Sequence, residues 1–190
     1  DLLESRGLGD VYKRQFLILS IFSPSFIFTN EMILDEVIYE DSVKIIFEVA
    51  PKDTIISSSK NKVLSETETD IHLEVLINWS DDIDIMGQIP GSFIPYISVT
   101  AIIENEITEE IKNLTLIPHL NLIDGFHYAQ NIKLPGSKED LYSLTFFLEP
   151  DKEALSFHKD WQDSQKIPII SKQIFSYKRL NFAEIVETSR

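Results

Sequence analysis

Thr69-Asp-Ile-His-Leu-Glu-Val-Leu-Ile-Asn-Trp79 has the clearest period of two in the chain. Successive residues of a strand project to opposite sides, so Ile71, Leu73, Val75, Ile77 and Trp79 point one way. Asp70, His72 and Glu74 are left on the other face. Working outward, Val43 to Pro51 reads as a strand with Ile45, Phe47 and Val49 on one side. Leu141 to Leu148 aligns Tyr142, Leu144, Phe146 and Leu148 in the same way. Further strands are expected at Pro95 to Glu104, Glu109 to Pro118, His127 to Leu134 and Ile170 to Arg179.

Between them, Asp53 to Glu66 is rich in Ser, Lys and Asn and reads as a loop. Ser80 to Ser92 is an acidic loop that turns through Pro90-Gly91, and Pro135-Gly136-Ser137 marks another turn. The stretch through His158 and Trp161 is irregular, and Asn181 to Arg190 is a tail, either a short helix or without fixed structure. Seven or more short strands separated by turn signals, with little helical periodicity, predict an all-β fold. We expect a single antiparallel β-sandwich domain over residues 31–180, immunoglobulin-like or cupredoxin-like.

Composition excludes several function classes. Asp and Glu number 31 against 17 Lys and Arg, a net charge of −14. Such a surface repels nucleic-acid phosphates, so no nucleic-acid partner is expected. The chain has no cysteine, which removes disulfides, thiolate metal sites and a blue-copper centre. The six glycines are scattered and form no phosphate-binding loop. No serine lies in a nucleophile elbow and no His-Glu-x-x-His pattern occurs.

The ends read differently from the middle. Asp10 to Gln15 is what GAT GTG TAT AAG AGA CAG encodes, a mosaic end of transposase-based sequencing libraries. Residues 1–15 are therefore set aside as translated adapter. Residues 16–30, from Phe16-Leu-Ile-Leu onward, are apolar but shorter than the roughly 20 residues a spanning helix needs. They fit the apolar core of a truncated secretory signal, so export is expected and no membrane span in the mature chain.

The chain has four histidines. His119 and His127 flank the Asp124-Gly125 turn, which folds the chain so that both imidazoles can face one point. His72 and Glu74 lie one residue apart on a strand and project from one face, about 7 Å apart at the backbone. His158 sits in Ser156-Phe-His-Lys-Asp-Trp161, a stretch with no diagnostic spacing.

These pieces occur in an order that resembles the periplasmic Fe(II)-transport protein family, dimeric copper-binding β-sandwich proteins that work with an inner-membrane iron permease. The resemblance rests on Asp70-Ile-His-Leu-Glu74, Gly91-Ser-Phe-Ile-Pro-Tyr-Ile-Ser-Val99 and Leu114-Thr-Leu-Ile-Pro118. It continues through Asp124-Gly-Phe-His-Tyr-Ala-Gln-Asn-Ile132, Tyr142-Ser-Leu-Thr-Phe146 and the late His158. It spans about Lys44 to Leu180.

The resemblance implies a metal site at His72, His119, His127 and His158, with Glu74 and Asp124 as carboxylates of a second shell or second metal. It implies copper (Cu2+) or iron (Fe2+), with zinc also possible, a periplasmic homodimer, and partnership with the permease. His119 stands where the family commonly has methionine. An imidazole suits Cu(II), Zn(II) and Fe(II), whereas a thioether favours Cu(I). The spacing from His119 to His127 is also one residue longer than the family's, and unless the loop absorbs that residue His119 points away.

The expected function is capture of a divalent ion for high-affinity iron uptake, without enzymatic chemistry. Affinity is expected to fall as pH drops through about 6.5, where free imidazoles protonate. The competing reading is a secreted β-sandwich interaction module with four incidental histidines dispersed over its surface. A metal-dependent hydrolase ranks third, with Glu74 its only candidate base.

Overall fold

A computed structural model describes residues 31–57, 63–85, 87–151, 153–164 and 169–188. The adapter reading at 1–15 and the signal reading at 16–30 lie outside the described residues. Eight strands make up the domain: β1 (Met32–Tyr39), β2 (Val43–Pro51), β3 (Ile71–Trp79), β4 (Ile97–Asn105), β5 (Ile111–Leu120), β6 (Phe126–Ile132), β7 (Tyr142–Pro150) and β8 (Gln173–Leu180). Two short helices, α1 (Lys159–Ser164) and α2 (Ala183–Glu187), flank β8.

All strand pairs are antiparallel, in the order β1-β2-β3-β6-β5-β4-β7-β8. The fold is thus the all-β antiparallel sandwich that the alternation implied. Its two layers share β5. Ile111 to Leu116 pairs with β4, and Ile117 to Leu120 pairs with β6. Pro118 lies past the last β4 pair, where β5 is edged on one side only, a position that tolerates a residue without an N–H.

The inward faces are those of the period-two pattern. Val43, Ile45, Phe47 and Val49 of β2 pack with Ile71, Leu73, Val75 and Ile77 of β3, all fully buried. Opposite them stand Val99, Ala101 and Ile103 of β4 and Tyr142, Leu144, Phe146 and Leu148 of β7. The layers meet at Phe47, whose ring centroid is 4.8 Å from both Phe146 and Phe175. Side chains tie the outer strands: Tyr39 Oη lies 2.6 Å from Ser171 Oγ, and Tyr177 Oη donates to Asp35 at 3.1 Å.

Two elements, β1 and α1, were not foreseen as such, and the tail takes the helical one of its two expected forms. β1 escapes a period-two search because its register shifts between Ile33 and Asp35, which changes the phase of its apolar residues. α1 falls in the stretch expected to be irregular. In the tail, α2 is anchored by Phe182 and Ile185, both buried in the same core. The Phe182 ring stacks on Tyr142 at 5.5 Å.

Phe47 joins both layers, so Phe47→Ala should cost about 3–5 kcal/mol of unfolding free energy, as large aromatic truncations in packed cores do. Urea denaturation followed by circular dichroism measures it; a loss below about 1 kcal/mol would mean that the layers do not meet there.

Candidate metal centre

The outer face of β3 is where this sandwich departs from a solvated sheet. His72 and Glu74 are 1% and 0% exposed, as deeply buried as the core. They are covered because residues from three neighbouring strands crowd the same face. β6 contributes His127, Ala129 and Asn131, which alternate along it and are all buried. β5 contributes Ile117 and His119, paired with Ala129 and His127 respectively. β2 contributes Glu48 opposite Glu74 and Ala50 opposite His72.

Ala129 is the middle of this surface, paired with Glu74 on one side and Ile117 on the other. Its single methyl leaves room that a larger residue would fill. Asp53 to Ser57 runs alongside, and with Ile117 to Asn121 and His127 it lines a cavity of ≈ 420 Å³. A stretch read from sequence as a plain loop is therefore a wall of the site.

Within this frame His72, His119 and His127 each offer a ring nitrogen within 4.8 Å of the others. The His72 and His119 rings stack at 5.4 Å, and His127 stands edge-on to both, at 6.5 and 6.0 Å. Glu74 completes the arrangement. One carboxylate oxygen lies 3.5 Å from His72 Nε2 and the other 3.9 Å from His127 Nε2. The Nδ1 atoms point elsewhere, His72 to Asn131 Oδ1 at 2.7 Å and His127 to the Gly125 carbonyl at 3.1 Å. A carbonyl only accepts, so His127 carries a proton on Nδ1, which leaves Nε2 as the nitrogen that faces Glu74.

The β5–β6 hairpin sets His119 and His127 directly opposite each other. Asn121 organises the loop between them. Its Oδ1 accepts from the backbone N–H of Ile123 and Asp124 at 2.9 and 2.6 Å, and its Nδ2 donates to Asp124 Oδ2 at 2.6 Å. Gly125, at φ 67°, takes the left-handed conformation that closes the turn. His119 faces the group instead of pointing away. The loop also aims Asp124 inward, where Glu74, Asp124 and His127 form a second group within 4.8 Å.

His119 is the least satisfied member. Both ring nitrogens are buried without a hydrogen bond, which is costly for an imidazole unless another partner takes a lone pair. Burial, and next the charge of neighbouring His127, lower its pKa from 6.5 to about 4, with Asp53 opposing. Proton competition at His119 therefore begins well below the pH 6.5 expected from an unperturbed imidazole.

His158 enters neither group. It is exposed, immediately before α1, and its carbonyl accepts from the Gln162 N–H at 3.2 Å. Sequence reading missed Asn131, Ala129 and Glu48 as members of the site. A signal existed for the first two: counting by twos from His127 places Ala129 and Asn131 on the histidine face. Nothing in the sequence pointed to Glu48, whose place comes from the β2–β3 register.

Residues 28–183 match the family described as Fe2+ transport protein. That span is most of the chain. The chain belongs to the Fe2+ transport protein family. Among solved structures it is similar to FetP of uropathogenic Escherichia coli, with 24% identity and a TM-score of 0.61 over 78% of this chain and 94% of that one. It is likewise similar to the copper-reconstituted P19 protein of Campylobacter jejuni, at 23% identity and a TM-score of 0.62 over 78% and 94%. At these identities the likeness concerns the fold, the β-sandwich described above. A further relative is the 34 kDa membrane antigen of Treponema pallidum (strain Nichols), 31% identical over 101 residues. The match spans 52% of this chain and about half, 48%, of that protein.

The low His119 pKa sets a sign for stability. The unfolded chain binds this proton near pH 6.5 and the folded chain only near 4, so the contribution is complete above 6.5 and is lost as pH falls toward 4. In metal-free protein the unfolding free energy should therefore fall less between pH 7 and 4.5 in His119→Gln than in wild type. Equal slopes in urea titrations at the two pH values would refute the assignment.

Proposed function

We propose that this chain is a metal-binding protein of iron uptake that holds one divalent transition-metal ion among His72, His119 and His127. Glu74 and Asp124 supply carboxylate to the same ion or to a neighbouring one. One observation carries the reading. Three imidazoles and a fully buried carboxylate converge, with His72 Nε2 at 3.5 Å and His127 Nε2 at 3.9 Å from the two Glu74 oxygens. With neutral imidazoles, such a buried set of nitrogen and carboxylate donors is one that a bound cation stabilises.

The donor set fits Cu(II) or Fe(II), and Zn(II) accepts the same ligands. Among the described residues no thioether is at hand: Met32 lies on β1, and β2 separates that strand from the β3 ligands. Family membership supports iron as the cargo, and the copper-reconstituted P19 relative supports copper as an ion this fold accepts. The ion is captured and handed on without covalent chemistry, outside the inner membrane, toward an inner-membrane iron permease. Among the described residues no helix is long and apolar enough to cross a membrane.

His158 belongs to the proposal as a donor from a second copy, in the periplasmic homodimer that the family resemblance implies. The alternative of an interaction module with dispersed histidines has lost its premise for His72 and His127, which are buried side by side.

Calorimetry with Cu(II) at pH 7.5 tests the site. His127→Ala should lose at least tenfold in affinity, with an unchanged far-ultraviolet circular dichroism spectrum. Unchanged affinity would sink the assignment. Saturating Cu(II) should also raise the melting temperature of wild type and not of His127→Ala, because an ion that binds only the folded state stabilises it by mass action. For His158→Ala, sedimentation and calorimetry together should show weaker binding in the dimer; binding equal to wild type would remove His158 from the ligand set.

A further inference from the structure

Asn131 lies directly opposite His72 in the β3–β6 ladder and is 2% exposed. Its amide group uses every atom it has. Nδ2 donates to the backbone carbonyls of Asp53 at 2.9 Å and Leu64 at 2.8 Å. Both partners are carbonyl oxygens, which accept and never donate, so the nitrogen side of the amide must face them. Oδ1 is thereby fixed on the opposite side, 2.7 Å from His72 Nδ1. An amide oxygen cannot donate either, so His72 must carry its proton on Nδ1. In the neutral ring Nε2 then keeps the lone pair, on the side where Glu74 lies 3.5 Å away.

We infer that Asn131 is the positioning residue of the site. Held by the Asp53 and Leu64 carbonyls, it sets the ring orientation and tautomer of His72 so that Nε2 is available to a metal ion. This rests on the metal-binding reading of the same group and adds a residue that touches no ion. The arrangement makes His72 depend on backbone distant in sequence. If those two carbonyls were not in place, the amide could turn over and offer Nδ2 to His72. The ring would then accept at Nδ1 and hold its proton on Nε2, where it cannot ligate. His127 needs no such device, because the Gly125 carbonyl within its own hairpin fixes its tautomer.

The test needs no metal in its first arm. Long-range 1H–15N correlation spectra of metal-free protein at pH 8 should show His72 protonated on Nδ1 and bare on Nε2; protonation on Nε2 would overturn the inference outright. In the second arm Asn131→Leu keeps the volume and removes both functions of the amide, while Asn131→Asp keeps an acceptor for His72 and loses both donations. Asn131→Leu should bind Cu(II) about 10–100-fold more weakly, with a changed electron paramagnetic resonance spectrum, as loss of a residue that orients a ligand does. Asn131→Asp still offers His72 an acceptor, so the Nδ1 proton should persist. Its carboxylate meets the Asp53 and Leu64 carbonyls without a donor, so affinity should recover only in part. Wild-type affinity and spectrum in a folded Asn131→Leu would also overturn it. If that variant fails to fold, the wild-type tautomer still decides. If wild type binds no Cu(II) yet holds the Nδ1 proton, the metal reading fails and the positioning role stands.

Discussion

Glu74 sits in the middle of a sheet with no exposure to solvent and an imidazole nitrogen opposite each of its oxygens. A carboxylate is removed from water only at considerable cost, and a neighbouring positive charge offsets that cost. The surrounding strands are arranged so that such a charge has a place. Ala129 and Ala50 are small where bulk would fill the space, and the histidines come from three strands that reach the same face. The site is thus part of the sheet itself and inherits its rigidity, which suits selective binding better than a loop would.

The two faces of β3 show how one strand serves both the core and the proposed site. Its odd-numbered residues fill the core against β4 and β7, where Phe47 and Phe146 meet. Its even-numbered residues carry His72 and Glu74. A one-residue slip in register would put His72 and Glu74 in the core and the apolar residues on the outer face. Mutations that weaken the sandwich and mutations that weaken the site are therefore expected to separate by parity along this strand.

β5 links the layers and the site in another way. Its first half pairs with β4 and its second with β6. That change of partner delivers His119 across from His127, and the Asn121-centred loop joins the two strands. With an imidazole at this position the group is a set of nitrogen and oxygen donors. Such a set matches divalent ions in the middle of the hardness scale.

Much of this was legible in the residues. Alternation alone determined the inward faces of β2, β3 and β7, and Val43–Pro51 was read with the bounds the fold has. The burial of apolar side chains is a local, repetitive demand that leaves a period in the sequence. β1 was not legible because a bulge broke that period, and Asn131 was passed over because an asparagine on a strand has no chemistry until its partners are known. His158, read into the same site, remains outside it in a single chain. Composition and spacing by themselves determined an acidic, cysteine-free β-sandwich with histidines on two strands. Only the tertiary structure decided that the outer face of β3 is buried, that Asp53 and Leu64 hold Asn131 against His72, and that His119 turns inward. Those facts depend on which strands become neighbours, and pairing between distant segments is set by the whole fold rather than by any one stretch.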